Sequence, residues 1–298
     1  MPLKKNKDNK KVKLIDLFKE VYSVFKQKKF DFPEIEATSL LSFVLKKDKL
    51  FLLTTDSYLI SFAKQKIIRS LIKKRLAGWS LASLTGVKSF YNLELQVNKN
   101  VLIPRPETEL LVDEVIAYLK DKKETVILDI GTGSGAIILS LFKNIKSSKV
   151  RFYASDISQK ALKVAKSNAK KYQAKIKFFK GDLLKPYLEE LPKITQKDII
   201  ITANLPYLKP VEMKEKSISK EPKNALLSGR DGLWHYRRLF KQIKNNLLSH
   251  QKDIFLICEI NPLQARTIKK LAAASFSTNR IYFKKDYRQR TRFVVIKI

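Results

Sequence analysis

Hydrophobic positions recur with two different periods along the chain. Leu14, Leu17, Phe18, Val21, Tyr22 and Phe25 are spaced by three and four, the stripe of an amphipathic helix. A second apolar segment, 35–45, follows Pro33, and Ile60, Ala63, Ile67 and Leu71 make a third stripe that Gly78 is placed to end. Short connections among three or so helices predict a small bundle over residues 1–85. The period shifts near Gly86. Tyr91, Leu93, Leu95 and Val97 alternate with polar residues, and Asn98 to Asn100 is a turn signal. This predicts a β-hairpin over 86–103 that links the bundle to the rest. After a helix at 108–119, short apolar strands alternate with helices. The strands are VILDI, VRFYASD, KIKFFKGD, DIIITANLPY and IFLICEI, and the tail RIYFKKDYRQRTRFVVIKI reads as an antiparallel hairpin. Ser158 is placed to cap a helix with Ala161, Leu162, Ala165 and Ala169 inward. The expectation for 104–298 is an α/β domain with a mostly parallel sheet and helices on both faces.

Composition narrows this picture. With 44% apolar residues in 298, the chain can bury a sizeable core. The single cysteine, Cys258, excludes a disulfide framework, and His235 and His250 are too few for a histidine-rich metal site. Uninterrupted apolar stretches fall far short of the roughly 20 residues a bilayer requires, and the basic N-terminus lacks a signal peptide's apolar run. A cytoplasmic protein without membrane or metal is expected. The net charge of +33 invites a nucleic-acid reading. The charge is spread along the chain, however, and comes from 49 lysines against 12 arginines, although arginine is the better reader of phosphates and bases. A lysine-biased composition is favoured over a nucleic-acid function. The dense basic run at the far N-terminus reads as a frayed end.

Three places carry chemistry. The first is the turn Gly131-Thr132-Gly133-Ser134-Gly135 after the VILDI strand. Glycines let a ligand approach the backbone, and the following helix offers free N–H groups. No lysine follows in the P-loop pattern, which disfavours a triphosphate. The second is Asp156, at the end of the next strand, placed to accept from both hydroxyls of a ribose; ordinary helix capping is the competing role. These two features fit a dinucleotide and S-adenosylmethionine equally. The third is Asn204-Leu205-Pro206-Tyr207, at the end of the fourth strand, where open α/β sheets place their active crevice. An amide or aromatic-amine nitrogen is a poor nucleophile because its lone pair is delocalised. The Asn204 side-chain oxygen and the Leu205 carbonyl can accept its two N–H bonds and free that lone pair. Pro206 restricts Leu205 to an extended conformation, and Tyr207 offers a flat face for a planar group.

The Asn-x-Pro-Tyr tetrad after a DIGTGSG turn resembles class I methyltransferases that act on planar nitrogens. Within these, the chain is similar to the protein-(glutamine-N5) methyltransferases of peptide chain release factors from about residue 76 to the end. The match includes GVKSFYNLELQVNKNVLIPRPETELLVDEV, SDISQKALKVAKSNA, GDLLKP and EPKNALLSGRDGLWHYRRL, with IPRPETE the most specific element. The resemblance implies a Rossmann-like methyltransferase domain and an N-terminal bundle that binds substrate. It implies S-adenosyl-L-methionine as cofactor and S-adenosyl-L-homocysteine as product, with no metal. Residues 131–135 would hold the methionine part, Asp156 the ribose, and Asp182 and Leu183 the adenine. Asn204, Leu205, Pro206 and Tyr207 would hold the substrate glutamine, with Asn204 also near the cofactor. The substrate implied is the glutamine of the Gly-Gly-Gln motif in class 1 release factors; a monomer is expected. Thr108 is a candidate for the cofactor's carboxylate, with helix capping the competing role.

Three residues depart from the family pattern. Leu205 replaces a proline, Ser228 stands in a usual glycine pair, and Asn261 follows Glu-Ile where glycine is usual. Asn-Leu-Pro-Tyr is also the form found in ribosomal RNA adenine dimethyltransferases. An adenine-N6 methyltransferase on RNA or DNA is therefore the alternative, beside a ribosomal-protein glutamine methyltransferase and a non-catalytic binding module. His235 and Cys258 read as structural, whereas Trp79 and Trp234 are left between packing and substrate contact.

Overall fold

In the computed structural model, residues 10–119, 124–190, 198–214, 220–248, 253–277 and 280–298 are described. His250 and the basic run of the first nine residues lie outside them. The described chain falls into two units, Met1–Gly86 and Val87–Ile298.

In the first unit, α1 (Leu14–Gln27) buries Leu14, Leu17, Val21 and Phe25, the inner part of its predicted stripe. It packs with α2 (Pro33–Leu45), whose first turn starts at proline, and with α3 (Lys49–Thr54), α4 (Phe62–Leu76) and α5 (Leu81–Thr85). The third stripe requires correction. Ile60 belongs to a two-residue strand, β2 (Leu59–Ile60), paired with β1 (Val12–Lys13). Ser61 then caps α4, which buries Gln65, Ile68 and Ile72 and leaves Ile67 half exposed. Gln65 is inside because its amide donates to the Lys10 and Ile60 carbonyls, which rotates the inward face by one residue. The Trp79 carbonyl accepts from Arg75, which also grips Glu36 and lies over Phe30.

In the second unit, β3 (Val87–Phe90) and β4 (Leu93–Gln96) form the predicted hairpin. Its turn lies earlier than expected, at Tyr91 and Asn92, both left-handed, so Tyr91 is a turn residue. Its backbone N–H donates to Glu109 and its hydroxyl to Asp113, which anchors the turn on α6 (Glu109–Leu119). Phe90, Leu93 and Leu95 enter the core of this unit.

The seven-stranded sheet has the order β10-β11-β9-β8-β5-β6-β7. Its members are β5 (Thr125–Ile130), β6 (Val150–Asp156), β7 (Ile176–Lys180), β8 (Asp198–Ala203), β9 (Ile254–Glu259), β10 (Ile281–Lys285) and β11 (Thr291–Lys297). The five from β5 to β9 run parallel, and β11 is antiparallel to both β9 and β10. Side chains alternate between two cores. Val126, Leu128 and Ile130 meet α9 (Trp234–Leu247) and α10 (Ala265–Phe276), while Ile127 meets α6 and α7 (Ala136–Asn144). β5, β8 and β9 are buried on both faces but for Asp198, which explains their nearly unbroken apolar runs. Ser158 caps α8 (Gln159–Lys171) as expected.

The chain leaves β5 toward β6 and β7, then crosses back to β8. That reversal opens a crevice beyond the carboxyl ends of β5 and β8. Register decides what faces it. Ile130 pairs with Ser155 on one side and Ala203 on the other, and Ala203 pairs with Cys258. The next residues of the four strands are therefore level: Asp156, Gly131, Asn204 and Glu259 form one row along the crevice.

Candidate active site

The glycine turn is held from below. Thr132 N–H donates to the Ser155 carbonyl, and its hydroxyl reaches Asp129 Oδ2 at 2.6 Å. Asp129 Oδ1 accepts from Thr202 at 2.8 Å, which ties β5 to β8. Burial pushes the Asp129 carboxyl up to about 6, against these two hydroxyls. Asn168 donates to the Ser134 carbonyl and fixes the far end of the turn. Gly133 has φ +57°, and a Cβ built on it would meet no atom within 4 Å. Its bare face opens on a cavity lined by Asp156, Asp182, Leu183, Asn204 and Thr108.

Asp156 is not the helix cap, a role Ser158 takes, and its carboxylate faces the cavity. Its Oδ2 accepts from Gly133 N–H at 2.9 Å and Oδ1 from Ser158 N–H at 2.8 Å. Each oxygen keeps a lone pair for a ligand hydroxyl. Asp182 is ion-paired with Arg238, which stacks 4.3 Å over Trp234. Leu183 is buried in a left-handed conformation, and its carbonyl accepts from Ser155. Trp234 and His235 also line this cavity, so His235 is a wall residue as well as a structural one. Its Nδ1 is 2.7 Å from Ser228 Oγ, and burial lowers its pKa. An acid placed for a diol, a bare glycine face and an apolar flank fit the parts of S-adenosylmethionine.

Asn204 stands between two spaces. With Leu205 and Pro206 it lines the first cavity and also a second one, which adds Tyr207, Arg105, Glu212, Asn261 and Arg292. Asn204 Nδ2 donates to Glu259 Oε2 at 2.9 Å and lies 3.2 Å from Thr108 Oγ1. Among the described residues nothing donates to Asn204 Oδ1 or to the Leu205 carbonyl. Leu205 is buried, and a Cβ on Gly131 would lie 2.9 Å from its Cδ2. The leucine therefore packs over the glycine turn. Tyr207 sits against the core with its hydroxyl 3.4 Å from Glu259 Oε1, and burial raises its pKa.

Gly131 to Ser134, Asp156, Asp182, Leu183, Asn204, Leu205 and Pro206 line the first cavity and Tyr207 only the second, whereas Gly135 lines neither and lies against Leu139 and Ala165. Thr108 is not a helix cap: its hydroxyl donates to Glu259 Oε2 at 2.6 Å. Glu259 itself was missed by sequence reasoning, as was buried Glu221, which accepts from Arg105 and the Ile103 N–H. The available signal for Glu259 is a lone acid ending the apolar run IFLIC. Asn261 and Ser228 have local partners: Asn261 Oδ1 caps Leu263 N–H, and Ser228 Oγ accepts from His235 N–H.

The strand order, the glycine turn and the acid ending β6 define a class I methyltransferase that uses S-adenosylmethionine. Residues 121–288 match the methyltransferase-domain family, and residues 16–86 match the PrmC N-terminal domain. The release factor glutamine methyltransferase of Dictyoglomus turgidum is 36% identical over 268 residues, 89% of this chain and 90% of that one. Its namesake in Bacillus cereus is 34% identical over 243 residues, 80% and 83% of the two chains. In Bacillus subtilis the figures are 36% over 222 residues, 71% and 73%. The chain belongs to the release factor glutamine methyltransferase family.

Proposed function

We infer that the protein transfers the methyl group of S-adenosyl-L-methionine to the side-chain N5 of the glutamine in the Gly-Gly-Gln motif of class 1 peptide chain release factors. The observation that carries this reading is the pair of acceptors without internal donors, Asn204 Oδ1 and the Leu205 carbonyl, on the wall common to both cavities. A primary amide has two N–H bonds to give and needs two such acceptors. The bound cofactor supplies a methyl group made electrophilic by its sulfonium. Asp156 would hold the ribose, residues 131–135 the methionine part, and Asp182 and Leu183 the adenine. Pro206 would fix the direction of the Leu205 carbonyl, and Tyr207 would stack on the amide plane. The chain's contribution is to place the nitrogen and to favour the charge that develops on it.

The N-terminal unit, whose residues 16–86 match the PrmC N-terminal domain, would dock the release factor. Among the described residues no helix is long and apolar enough to cross a membrane, and no cluster of three or more metal-ligating side chains occurs. A cytoplasmic monomer acting on protein rather than nucleic acid is the setting we propose. Leucine in the tetrad does not favour adenine over glutamine, because Leu205 has a packing role and presents only its backbone carbonyl.

The test is transfer of labelled methyl to purified release factor against transfer to ribosomal RNA. Label in the release-factor peptide that carries Gly-Gly-Gln is expected; label in RNA alone would overturn the reading. Asn204→Ala should lower kcat by about 10²–10³-fold, the cost of removing one preorganised partner from a reacting centre. Its cofactor Kd should change far less.

A further inference from the structure

We propose that Glu259 is a positioning residue whose carboxylate decides which end of the Asn204 amide faces the acceptor nitrogen. The inference rests on the assignment of Asn204 Oδ1 as an acceptor for the substrate amide. An asparagine amide has two ends of nearly equal size, and packing alone discriminates poorly between them. Its surroundings must choose. Among the described residues every side-chain partner of Glu259 is a donor: Thr108 Oγ1 at 2.6 Å, Asn204 Nδ2 at 2.9 Å and Tyr207 Oη at 3.4 Å. An ionised carboxylate only accepts, so it selects the Nδ2 end of Asn204. The Thr108 hydroxyl spends its proton on Glu259 and leaves its lone pairs toward the same Nδ2 at 3.2 Å. Turning the amide over would set Oδ1 against two oxygens in a buried site. The side-chain oxygen is thereby kept free for substrate.

Protonation would undo this. A neutral Glu259 carries an O–H that needs an acceptor, and a reversed Asn204 amide offers one. Burial raises the Glu259 carboxyl above its ordinary range, Glu107 reinforces the effect, and Thr108, Arg292 and Tyr207 oppose it. The other groups at this place are Tyr236, whose hydroxyl donates to the Glu259 carbonyl, the buried Cys258 thiol, and Arg105 beside Tyr207.

The experiment measures kcat against pH at saturating cofactor and release factor for the wild type, Glu259→Gln, Glu259→Asp and Asn204→Ala. Glu259→Gln, neutral at every pH, is expected to lose roughly 10–100-fold in kcat, the usual cost of losing a partner that orients a working ligand. Its cofactor Kd and melting temperature should stay close to those of the wild type. The wild type should lose kcat on acidification at a pH above the ordinary glutamate value of about 4.3. Glu259→Asp should keep such an acidic limb and Glu259→Gln should lack it. A Gln variant with wild-type kcat and an unchanged acidic limb would overturn the proposal. So would a kcat deficit that only tracks the folded fraction. If the Gln variant fails to fold, a wild-type kcat that stays flat down to the ordinary glutamate range overturns it independently. Asn204→Ala separates the two readings: wild-type turnover there would refute the tetrad's role itself, whereas a slow Asn204→Ala beside a normal Glu259→Gln refutes only the role of Glu259.

Discussion

The two walls that meet at Asn204 are built differently. The wall at the glycine turn, proposed for the cofactor, is mostly backbone: left-handed glycines, N–H groups and one carboxylate contributed by the adjacent strand. The acceptor wall is mostly side chain: Asn204, Thr108, Tyr207 and Glu259 in one hydrogen-bonded group, with Gly232 and Gln264 packed behind Tyr207. A backbone wall is set by local conformation. A side-chain wall is set by the arrival of distant segments, so it tolerates less displacement and depends on buried polar partners.

The largest effect that would sharpen this contrast is expected at Gly232. Its φ is +77°, and a Cβ there would lie 2.2 Å from the Tyr207 carbonyl oxygen and 2.3 Å from Gln264 Nε2. Neither neighbour is a loose end, because Gln264 Nε2 donates to that same carbonyl at 3.0 Å. Gly232→Ala should destabilise by about 3 kcal/mol or more, combining left-handed strain with overpacking. Thermal melting should show it as a drop of several degrees. The fraction that remains folded should turn over slowly while binding cofactor normally. Equal damage to both walls would show that they are not separable.

Asp156→Ala attacks the other wall. It removes the acceptor proposed for the ribose and also the partner of Gly133 N–H and Ser158 N–H. Cofactor Kd, read by calorimetry, should rise roughly 100-fold, or ~2.7 kcal/mol. At saturating cofactor, kcat should change little. An unchanged Kd would break the assignment of this carboxylate to the cofactor.

The same contrast explains what could be read from the chain. Residues 131–135 and Asp156 are close in sequence and obey a local rule: glycines where a strand turns into a helix, then an acid ending the next strand. The tetrad was legible because asparagine, proline and tyrosine stand together at a strand end. Glu259 was not, because it meets Asn204 across 55 positions and Thr108 across 151, and only the sheet register brings them level. Fold class followed from the change of period near Gly86 and from the doubly buried strands. The inward face of α4 and the hairpin turn at Tyr91 were misread for the reverse reason. Each depends on a polar partner, Gln65 with two carbonyls and Tyr91 with Glu109 and Asp113, that hydrophobic spacing does not reveal.

Asp129 is the exception that tests the comparison most finely, because it is a buried side-chain device beneath the backbone wall. Its carboxyl is pushed up to about 6 in the fold. The unfolded chain should hold that proton only below about 3.9. Between these values the folded protein binds more protons than the unfolded one, so this group makes the protein more stable as pH falls from 6 toward 4. At neutral pH the same group costs up to ~3 kcal/mol, at 1.36 kcal/mol per tenfold change in proton affinity. Asparagine can accept from one of the two threonine hydroxyls and donate to the other, which can rotate to receive it. Asp129→Asn should therefore keep the glycine turn and be as stable as the wild type or slightly more so at pH 7. The difference in melting temperature should move in the wild type's favour as pH drops toward 4. Comparing two proteins that differ at one group cancels the other carboxylates, including Asp231, whose pKa is lowered to about 2 beside Arg237 and drives stability the opposite way. A difference that does not vary with pH would mean that Asp129 is ionised throughout, as an acid paired with two hydroxyls alone could be only if water reached it. The acidic limb of kcat assigned to Glu259 should survive in Asp129→Asn, since Asp129 touches the turn and not the acceptor.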